Sequence, residues 1–198
     1  LNGTVRGNRK FYGTVAVNSK VIFIPYYANV IGVLDTTSAT QATPQFSTVT
    51  LRGLVTDGGK FKGGAVIGSK VYFAPFNADV IGVFDTAADE GKGVFSTISL
   101  DGMVSGYWKF DGAAAIGSKV YFTPHYANVV GVLDTAPSTG GPAQFSTISL
   151  DASLHGDFKF SDAVVVGRKI IFAPYRVDVI GILDTTCNDG AGVWSTVS

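Results

Sequence analysis

The chain consists of four near-copies of one segment that is about 50 residues long. A Lys-Phe pair occurs once in each copy, at residues 10–11, 60–61, 109–110 and 159–160. A proline, an Asp-Thr pair and an aromatic-Ser-Thr triplet follow it each time, as at Pro75, Asp85 and Phe95. Units that repeat at this period bury their apolar faces only against one another. We therefore expect a single domain, residues 1–198, with approximate units 1–51, 52–100, 101–150 and 151–198.

The second copy has the pattern of four short strands. Residues 63–67 form an apolar run, and Gly68-Ser69 after it is a two-residue hairpin signal. Residues 70–75 are rich in β-branched and aromatic side chains and end at a proline, which cannot donate to a ladder. Residues 80–85 follow a short bend, and residues 95–100 alternate apolar and polar side chains. The pattern predicts four antiparallel strands per copy and no helix.

This strand count and copy length are typical of one propeller blade, whereas a β-helix rung is shorter and helical repeats need a 3.6-residue period. We therefore predict an all-β fold, a β-propeller of four blades, each a four-stranded antiparallel sheet of about 50 residues. Small residues at the start of the first strand, such as Gly63-Gly64, suit a crowded centre. Gly82 in the third strand indicates close approach of a neighbouring blade.

Residues 70–75 and 80–86, Lys-Val-Tyr-Phe-Ala-Pro and Val-Ile-Gly-Val-Phe-Asp-Thr, resemble tandem propeller repeats of the kelch and YVTN kind. The resemblance covers the whole chain, and the number of blades resembles the hemopexin domain. It implies a platform that binds partners, and it carries over no catalytic residues. Joining residues 194–198 to the start of the chain reproduces the junction at residues 46–54, so we expect four whole repeats. Either the first blade packs on the fourth, or the native protein has more blades.

Composition excludes several classes of partner. The formal net charge is +0 and no run of Lys or Arg occurs, which argues against nucleic acid. Apolar stretches are far shorter than a membrane span, so we predict no membrane insertion. The single cysteine, Cys187, excludes an internal disulfide and a cysteine-based zinc site.

Strand alternation places the linkers between copies and the bends between second and third strands on one face, which we call the linker face. Four lysines recur on it: Lys10, Lys60, Lys109 and Lys159. They could form an axial ring that binds an anion, and Asp162, which replaces a glycine near the axis, could be a solvated carboxylate of that ring or pair with a nearby lysine. The structural alternative, which we favour because the lysine repeats in every copy, is that each one bonds a linker carbonyl. At the opposite ends, the Asp-Thr steps could bind a cation, but we favour turns that end the third strand.

Residues that break the repeat are the better candidates for binding. In the third copy an aromatic pair precedes the lysine, and a histidine and a tyrosine form the bend on the same face. Such a set could stack on a sugar ring or receive a partner's side chain, or it could cover a seam between blades. The candidate binding residues are Tyr107, Trp108, His125, Tyr126, Tyr27, Asn77 and Arg176.

Motifs for catalysis are absent from the sequence. His125 and His155 are the only histidines, and there is no paired-histidine metal motif, nucleophile elbow or phosphate-binding glycine loop. We therefore predict no catalytic residue, no metal, no cofactor and no enzyme activity. The predicted function is a non-enzymatic interaction or scaffold module, a peripheral subunit or domain of a larger assembly with protein partners. The alternative is a carbohydrate-binding lectin that binds a glycan through the aromatic sites on the linker face.

Overall fold

A computed structural model of the chain describes residues 5–37, 44–56, 58–100, 102–152, 154, 156–186 and 192–198. His155 and Cys187 lie outside the described residues. All regular secondary structure within these ranges is β-strand, in four sheets of four strands, each sheet ordered as the strands follow in the chain. The prediction of an all-β fold with four-stranded antiparallel sheets is confirmed. We call the sheets blades 1 to 4.

The chain divides into two compact units, residues 1–98 and 99–198. Unit 1 contains blade 1 and blade 2 up to the end of its last strand. Their strands are β1 (Phe11–Val17), β2 (Lys20–Pro25), β3 (Val30–Asp35), β4 (Gln45–Thr50), β5 (Phe61–Ile67), β6 (Lys70–Pro75), β7 (Val80–Asp85) and β8 (Val94–Ser99).

Unit 2 contains blades 3 and 4. Their strands are β9 (Phe110–Ile116), β10 (Lys119–Pro124), β11 (Val129–Asp134), β12 (Gln144–Ser149), β13 (Phe160–Val166), β14 (Lys169–Pro174), β15 (Ile180–Asp184) and β16 (Val193–Val197). Within the described residues, no helix is long and apolar enough to cross a membrane.

The first hairpin of each blade turns where the sequence predicts. In blade 2, Ile67 pairs with Lys70, so Gly68 and Ser69 form the two-residue turn, and Gly68 has a φ of 59°. A left-handed residue is what such a hairpin turn requires. The first strand begins two residues earlier than predicted, because Phe61 pairs with Pro75 before the register shifts at Gly63. This shift is a β-bulge, and the φ of 76° at Gly63 is one that glycine adopts readily.

The third-strand glycine of each blade lies beneath aromatic rings of the same blade. A Cβ atom on Gly82 would lie 2.8 Å from the Phe73 ring, 2.9 Å from the Phe61 ring and 3.1 Å from the Phe95 ring. Rings of the same blade also lie over the equivalent glycines, namely Phe110, Phe122 and Phe145 over Gly131, Phe160 and Trp194 over Gly181, and Phe46 over Gly32. The prediction that these glycines allow close approach of a neighbouring blade is therefore wrong, because the atoms nearest to them belong to aromatic side chains of their own blade. They make room for the blade's own rings.

Blades pack in pairs within each unit, the forward face of one against the aromatic face of the next. The aromatic face carries the three rings over the glycine, and the forward face is the opposite side of the sheet. In unit 1, Ile22 and Ile31 of blade 1 share a buried cluster with Phe61, Val71 and Phe73 of blade 2.

The same packing occurs in unit 2. Tyr121 and Val130 of blade 3 share a buried cluster with Phe160, Ile170 and Phe172 of blade 4. In both units it is the first strands that contact each other most, β1 with β5 and β9 with β13. The small residues predicted at the start of these strands do face another blade, since a Cβ on Gly13 would lie 3.6 Å from Gly63.

Replacing Gly82 with alanine tests the three-ring packing. The added methyl group would overlap rings that are held by the rest of the core, so we expect Gly82→Ala to lower the free energy of unfolding by about 1–3 kcal/mol. Guanidinium denaturation followed by tryptophan fluorescence measures this. The control is Gly141→Ala, where the nearest atom to the new Cβ, on Thr139, is 3.8 Å away. Equal effects of the two substitutions would contradict the interpretation.

Candidate functional site

Backbone hydrogen bonds join each linker to the bend of its own blade. The Phe76 N–H donates to the Lys60 carbonyl at 2.9 Å, and the His125 N–H donates to the Lys109 carbonyl at 3.0 Å. The equivalent bonds in blades 1 and 4 run from Tyr26 to Lys10 and from Tyr175 to Lys159. In every blade, therefore, the linker and the bend lie together, as strand alternation predicts.

The opposite ends of the blades carry the Asp-Thr steps, which form turns. In blade 2 the Asp85 carboxylate accepts from the Ala87 N–H at 3.1 Å and from the Ser69 hydroxyl at 2.9 Å. The Thr86 hydroxyl donates to the Ser69 carbonyl at 2.8 Å. These bonds tie the end of the third strand to the first hairpin turn, so the turn interpretation of the Asp-Thr step is confirmed.

Three of the four repeated lysines are fully buried and donate to backbone carbonyls. The Nζ of Lys60 lies 3.4 Å from the Tyr27 carbonyl, and the Nζ of Lys159 lies 3.2 Å from the Tyr126 carbonyl, each in the preceding blade of its unit. The Nζ of Lys109 donates to the Gly106 carbonyl at 2.6 Å. These bonds are those that the structural alternative predicts.

The other two members of the predicted ring have different surroundings. Lys10 is partly buried. Asp162 is exposed at the start of β13, and its carboxylate accepts from the Ala163 N–H at 2.8 Å. An axial anion site formed by the four lysines, with Asp162 near it, stays a prediction.

Unit 2 brings aromatic side chains of blade 3 and blade 4 into one cluster on the linker face. Phe158 lies at its centre, with ring centroids 5.5 Å from Trp108, 4.9 Å from Tyr126 and 5.0 Å from His125. The Arg176 guanidinium lies 4.5 Å above the Phe158 ring. Four of the predicted binding residues, Trp108, His125, Tyr126 and Arg176, thus lie together. Tyr107 extends into solvent, 72% exposed.

The two central rings of this cluster stand on left-handed backbone. The residue before the repeated lysine has a φ of 59° at Trp108 and 58° at Phe158, where blade 2 has Gly59 at 65°. A bulky residue in this region costs about 1–3 kcal/mol and persists only where its surroundings hold it. The ring contacts of the aromatic cluster supply that support. Arg9 has a φ of 49° at the equivalent place in blade 1, so the left-handed backbone belongs to the repeat and the aromatic side chains are what distinguish unit 2.

The remaining predicted binding residues, Tyr27 and Asn77, lie in unit 1 around the linker between blades 1 and 2. The Asn77 amide donates to the Gly58 carbonyl at 2.7 Å, and the Tyr27 ring lies 2.8 Å from the place of a Cβ on Gly58. The linker glycines therefore leave room for these two side chains. The predicted binding residues form two groups, one in each unit.

A buried histidine–aspartate pair supports the cluster from below. The Nδ1 of His125 lies 2.8 Å from the Phe160 carbonyl and 3.4 Å from the carboxylate of Asp111. Nδ1 carries a proton, because a carbonyl oxygen only accepts. The backbone carbonyl of His125 accepts from the Lys159 N–H at 2.8 Å. One residue of blade 3 therefore holds blade 4 through both its side chain and its main chain.

Beside the cluster, a pocket of about 340 Å³ opens between the bend of blade 3 and the linker that follows it. Its lining residues are Tyr126, Asn128, Leu150, Asp151, Ala152, Leu154, Gly156 and Asp157. The Tyr126 phenol donates to the Asp157 carboxylate, and this bond raises the pKa of Tyr126 above its ordinary value of 10.0. The phenol therefore remains protonated, and remains a donor to Asp157, through the neutral and mildly alkaline range.

The lysine beneath this pocket is harder to protonate than an ordinary one. Burial lowers the pKa of Lys159, and the charge of nearby Asp157 opposes that shift in part. Across the part of the chain that the structure describes, no three or more His, Cys, Asp or Glu side chains form a group suited to a metal ion.

Sequence analysis missed three residues of this region, although the repeat itself carries a signal for each. Asp111 stands where the other copies have Tyr12, Lys62 and Ser161. Asp157 and Phe158 stand where the linker of blade 2 has two glycines, residues 58–59. Comparing all four copies position by position, rather than the third copy alone, identifies these departures.

A double-mutant cycle tests the buried pair with residues taken from sibling blades. His125→Phe introduces the residue of blade 2, and Asp111→Ser introduces that of blade 4. Removing one member of a buried pair costs about 1–3 kcal/mol, so we expect each single variant to unfold more easily. The double variant should lose less than the sum, with a coupling of about 0.5–3 kcal/mol in guanidinium denaturation. Additive losses would show that the two side chains do not interact.

Lys159 predicts a pH dependence of stability. Its folded-state pKa is lowered, so above that value the unfolded chain binds more protons than the folded chain. The free energy of unfolding should therefore rise as the pH rises from the folded pKa of Lys159 to the ordinary value of 10.5. Urea denaturation from pH 7 upwards compares the native protein with Lys159→Met. The free energy of unfolding of the native protein should increase relative to that of Lys159→Met as the pH rises. If the two free energies changed with pH in parallel, the lowered pKa of Lys159 would be contradicted.

No family model and no curated protein matches the chain. Solved structures do match. The chain is similar to a streptogramin B lyase at 19% identity and a TM-score of 0.69, over 98% of this chain and 56% of that one. It is similar to a putative 6-phosphogluconolactonase from Bacteroides fragilis at 13% identity and a TM-score of 0.61, over 93% and 56%. A glutaminyl cyclase from Myxococcus xanthus matches at 11% identity and a TM-score of 0.52, over 88% and 66%.

These structures show that the fold is of the β-propeller type, and the chain spans between about half and two thirds of their length. The three proteins are a lyase, a putative lactonase and a cyclase. The prediction of a non-enzymatic scaffold module, with a lectin as its alternative, is contradicted by this finding. The prediction was wrong because the repeated sequence pattern reflects the strands, whereas the functional residues of such a fold lie in the loops.

Proposed function

We propose that the chain is a propeller enzyme, or part of one, that hydrolyses a small, polar, unphosphorylated lactone or ester. The substrate binds in the pocket between the bend of blade 3 and the linker to blade 4. Asp157 acts as the general base. The observation that carries this proposal is the hydrogen bond from the Tyr126 phenol to Asp157 at the wall of a pocket of about 340 Å³. A volume near this value is at the lower end of the range for small-molecule sites.

The lining of the pocket suits a polar ring compound with some apolar surface. Leu150 and Leu154 offer aliphatic contact, and the side chains of Asn128, Asp151 and Asp157 offer polar groups. The carboxylates accept hydrogen bonds from substrate hydroxyls, and the Asn128 amide can donate to a carbonyl oxygen. One side of the pocket therefore binds hydroxyl groups while the amide is suited to the carbonyl that reacts.

Asp157 is suited to act on water. A carboxylate has two oxygens and about four acceptor sites, so a carboxylate held by one phenol still accepts from a water molecule. The phenol fixes the orientation of the carboxylate, which is what a positioned base requires. Because the pKa of Tyr126 is raised, this orientation persists as pH rises.

The proposed reaction needs only water as a co-substrate. Asp157 removes a proton from water, and the hydroxide adds to the carbonyl carbon of the lactone while Asn128 donates to the developing oxyanion. The ring C–O bond then breaks, and protonated Asp157 returns the proton to the departing oxygen. The product is a hydroxy acid, and Asp157 is again a carboxylate.

Charge distinguishes this proposal from the hydrolysis of a phosphorylated lactone, the activity for which the putative 6-phosphogluconolactonase is named. Asp151 and Asp157 both line the pocket, and a phosphate group beside them would meet two negative charges. The side chain of Lys159 is buried beneath the Tyr126 carbonyl and does not line the pocket. An uncharged lactone is therefore the better substrate, and the acidic product would be repelled from the site.

The finer assignment of the repeats to the kelch or YVTN kind is part of this proposal. It is supported by the strand pattern of residues 70–75 and 80–86 and by the glycine pair at residues 63–64. On this assignment the strands of the blades provide the scaffold, and the residues of the proposed active site lie in the loops of blades 3 and 4.

δ-Gluconolactone is the probe that tests the proposal, in a pH-indicator assay corrected for spontaneous hydrolysis. We expect hydrolysis above the spontaneous rate, and a slower rate with 6-phosphogluconolactone. Asp157→Asn removes the base and should lower kcat/KM by about 100-fold or more. Tyr126→Phe leaves the base in place without its orienting phenol and should lower kcat with little change in KM.

The matched control is Asp178→Asn, an exposed aspartate in the bend of blade 4 that does not line the pocket. It should leave the rate unchanged. No rate above the spontaneous one with either lactone would overturn the proposal. An Asp157→Asn variant as active as the native protein would remove Asp157 from the reaction.

A further inference from the structure

The forward face of blade 4 is exposed, whereas the equivalent faces of blades 1 and 3 are covered within their own units. Ile31 of blade 1 and Val130 of blade 3 are both 0% exposed, whereas Ile180, which occupies the same position in blade 4, is 42% exposed. Val164 is 57% exposed, whereas Ala114, its equivalent in blade 3, is 6% exposed. Blade 4 therefore presents to solvent the kind of surface that its sibling blades bury.

This face is concave and apolar. Val164 on β13, Ile171 on β14 and Ile182 on β15 are paired across the strands and form one row. A groove of about 370 Å³ lies on the same face, lined by Val164, Ile171, Ala173 and Ile180 among others. A contiguous exposed apolar surface of this kind typically marks an interaction site.

The chain also carries the complementary surface. The aromatic face of blade 1 holds Phe11, Phe23 and Phe46, and all three are only partly buried. Their equivalents in blade 2, Phe61, Phe73 and Phe95, are between 0% and 3% exposed. The aromatic face of blade 1 is therefore partly exposed, whereas the equivalent face of blade 2 is covered by blade 1.

We propose that the forward face of blade 4 binds the aromatic face of blade 1 in a second copy of this chain. The contact continues an interface that each unit already contains, since Ile22 and Ile31 pack on Phe61 and Phe73 in unit 1 in the same way. A second copy is favoured over an unrelated protein because both halves of that interface are present and exposed on one chain. The contact joins unlike surfaces, head to tail.

The proposal is independent of the enzyme activity, because none of its residues lines the pocket beside Tyr126. The two faces are apolar, so the association should persist at high salt and weaken at low protein concentration. Burying exposed valine and isoleucine side chains contributes about 25 cal/mol per Å² of apolar surface, before the cost of association.

Sedimentation velocity and light scattering over a range of concentrations test the association. We expect a mass of at least twice 20.7 kDa for the 198-residue chain. Val164→Lys places a charge on the forward face and should return the protein to 20.7 kDa. The control is Leu54→Lys in a linker of unit 1, where the leucine is 53% exposed, and it should not change the mass.

A mixing experiment tests the head-to-tail arrangement and guards against misfolding. Val21→Lys places a charge on the aromatic face of blade 1, where Val21 is paired with Leu34. Each blocked variant alone should be monomeric, with an unchanged circular dichroism spectrum. A mixture of the Val164→Lys and Val21→Lys variants should form a one-to-one complex, because each retains the face that the other has lost.

Several outcomes would overturn the proposal. A mass of 20.7 kDa for the 198-residue chain at every concentration would show that these faces do not bind a second copy. An association that Val164→Lys leaves unchanged would place the interface elsewhere. A monomeric protein from the native source with a denatured mass above 20.7 kDa would assign the faces to further repeats of the same chain.

Discussion

The packing of aromatic rings over the third-strand glycine is the constraint on which each blade depends. In blades 2 and 3 the rings come from the first, second and fourth strands, and the glycine lies in the third, so all four strands must be in register for the contact to form. In blade 2 the rings of Phe61, Phe73 and Phe95 then form one side of the cluster that joins blade 1 to blade 2. The same rings thus fix the register of the strands within the sheet and form the apolar surface on which the neighbouring sheet packs.

Because this framework is repeated, the loops are where the blades differ. Blade 2 has glycine at residue 59, whereas Phe158 adopts the same left-handed backbone at the equivalent place in the linker of blade 4. The strain of that conformation is offset by ring contacts with Trp108, Tyr126 and His125. The buried bond from His125 to the Phe160 carbonyl then holds the cluster on its blade. An aromatic cluster, a buried polar pair and an adjoining pocket therefore coincide in unit 2.

The strands were predictable from sequence because their signals are local. Gly68-Ser69 specifies a hairpin, and the alternation of residues 95–100 specifies a half-exposed strand, without knowledge of any other blade. Trp108, His125 and Tyr126 were predictable as neighbours because strand alternation places their loops together. The pairing of Asp111 with His125 was not, because a carboxylate in a first strand can as well face solvent. The Asp157 contact with Tyr126 depends on the path of a linker, which no periodic pattern encodes.

The bonds that join linker to bend are made by the main chain, as from the Phe76 N–H to the Lys60 carbonyl. The side chains at this position are tyrosine, phenylalanine and histidine in different blades, and the backbone bond is the same each time. Copies of one repeat can therefore differ in the side chain of the bend and still form the main-chain bond that joins it to the linker. The bend of one blade can therefore acquire new chemical groups during evolution, while the main-chain bonds of all four blades preserve the fold.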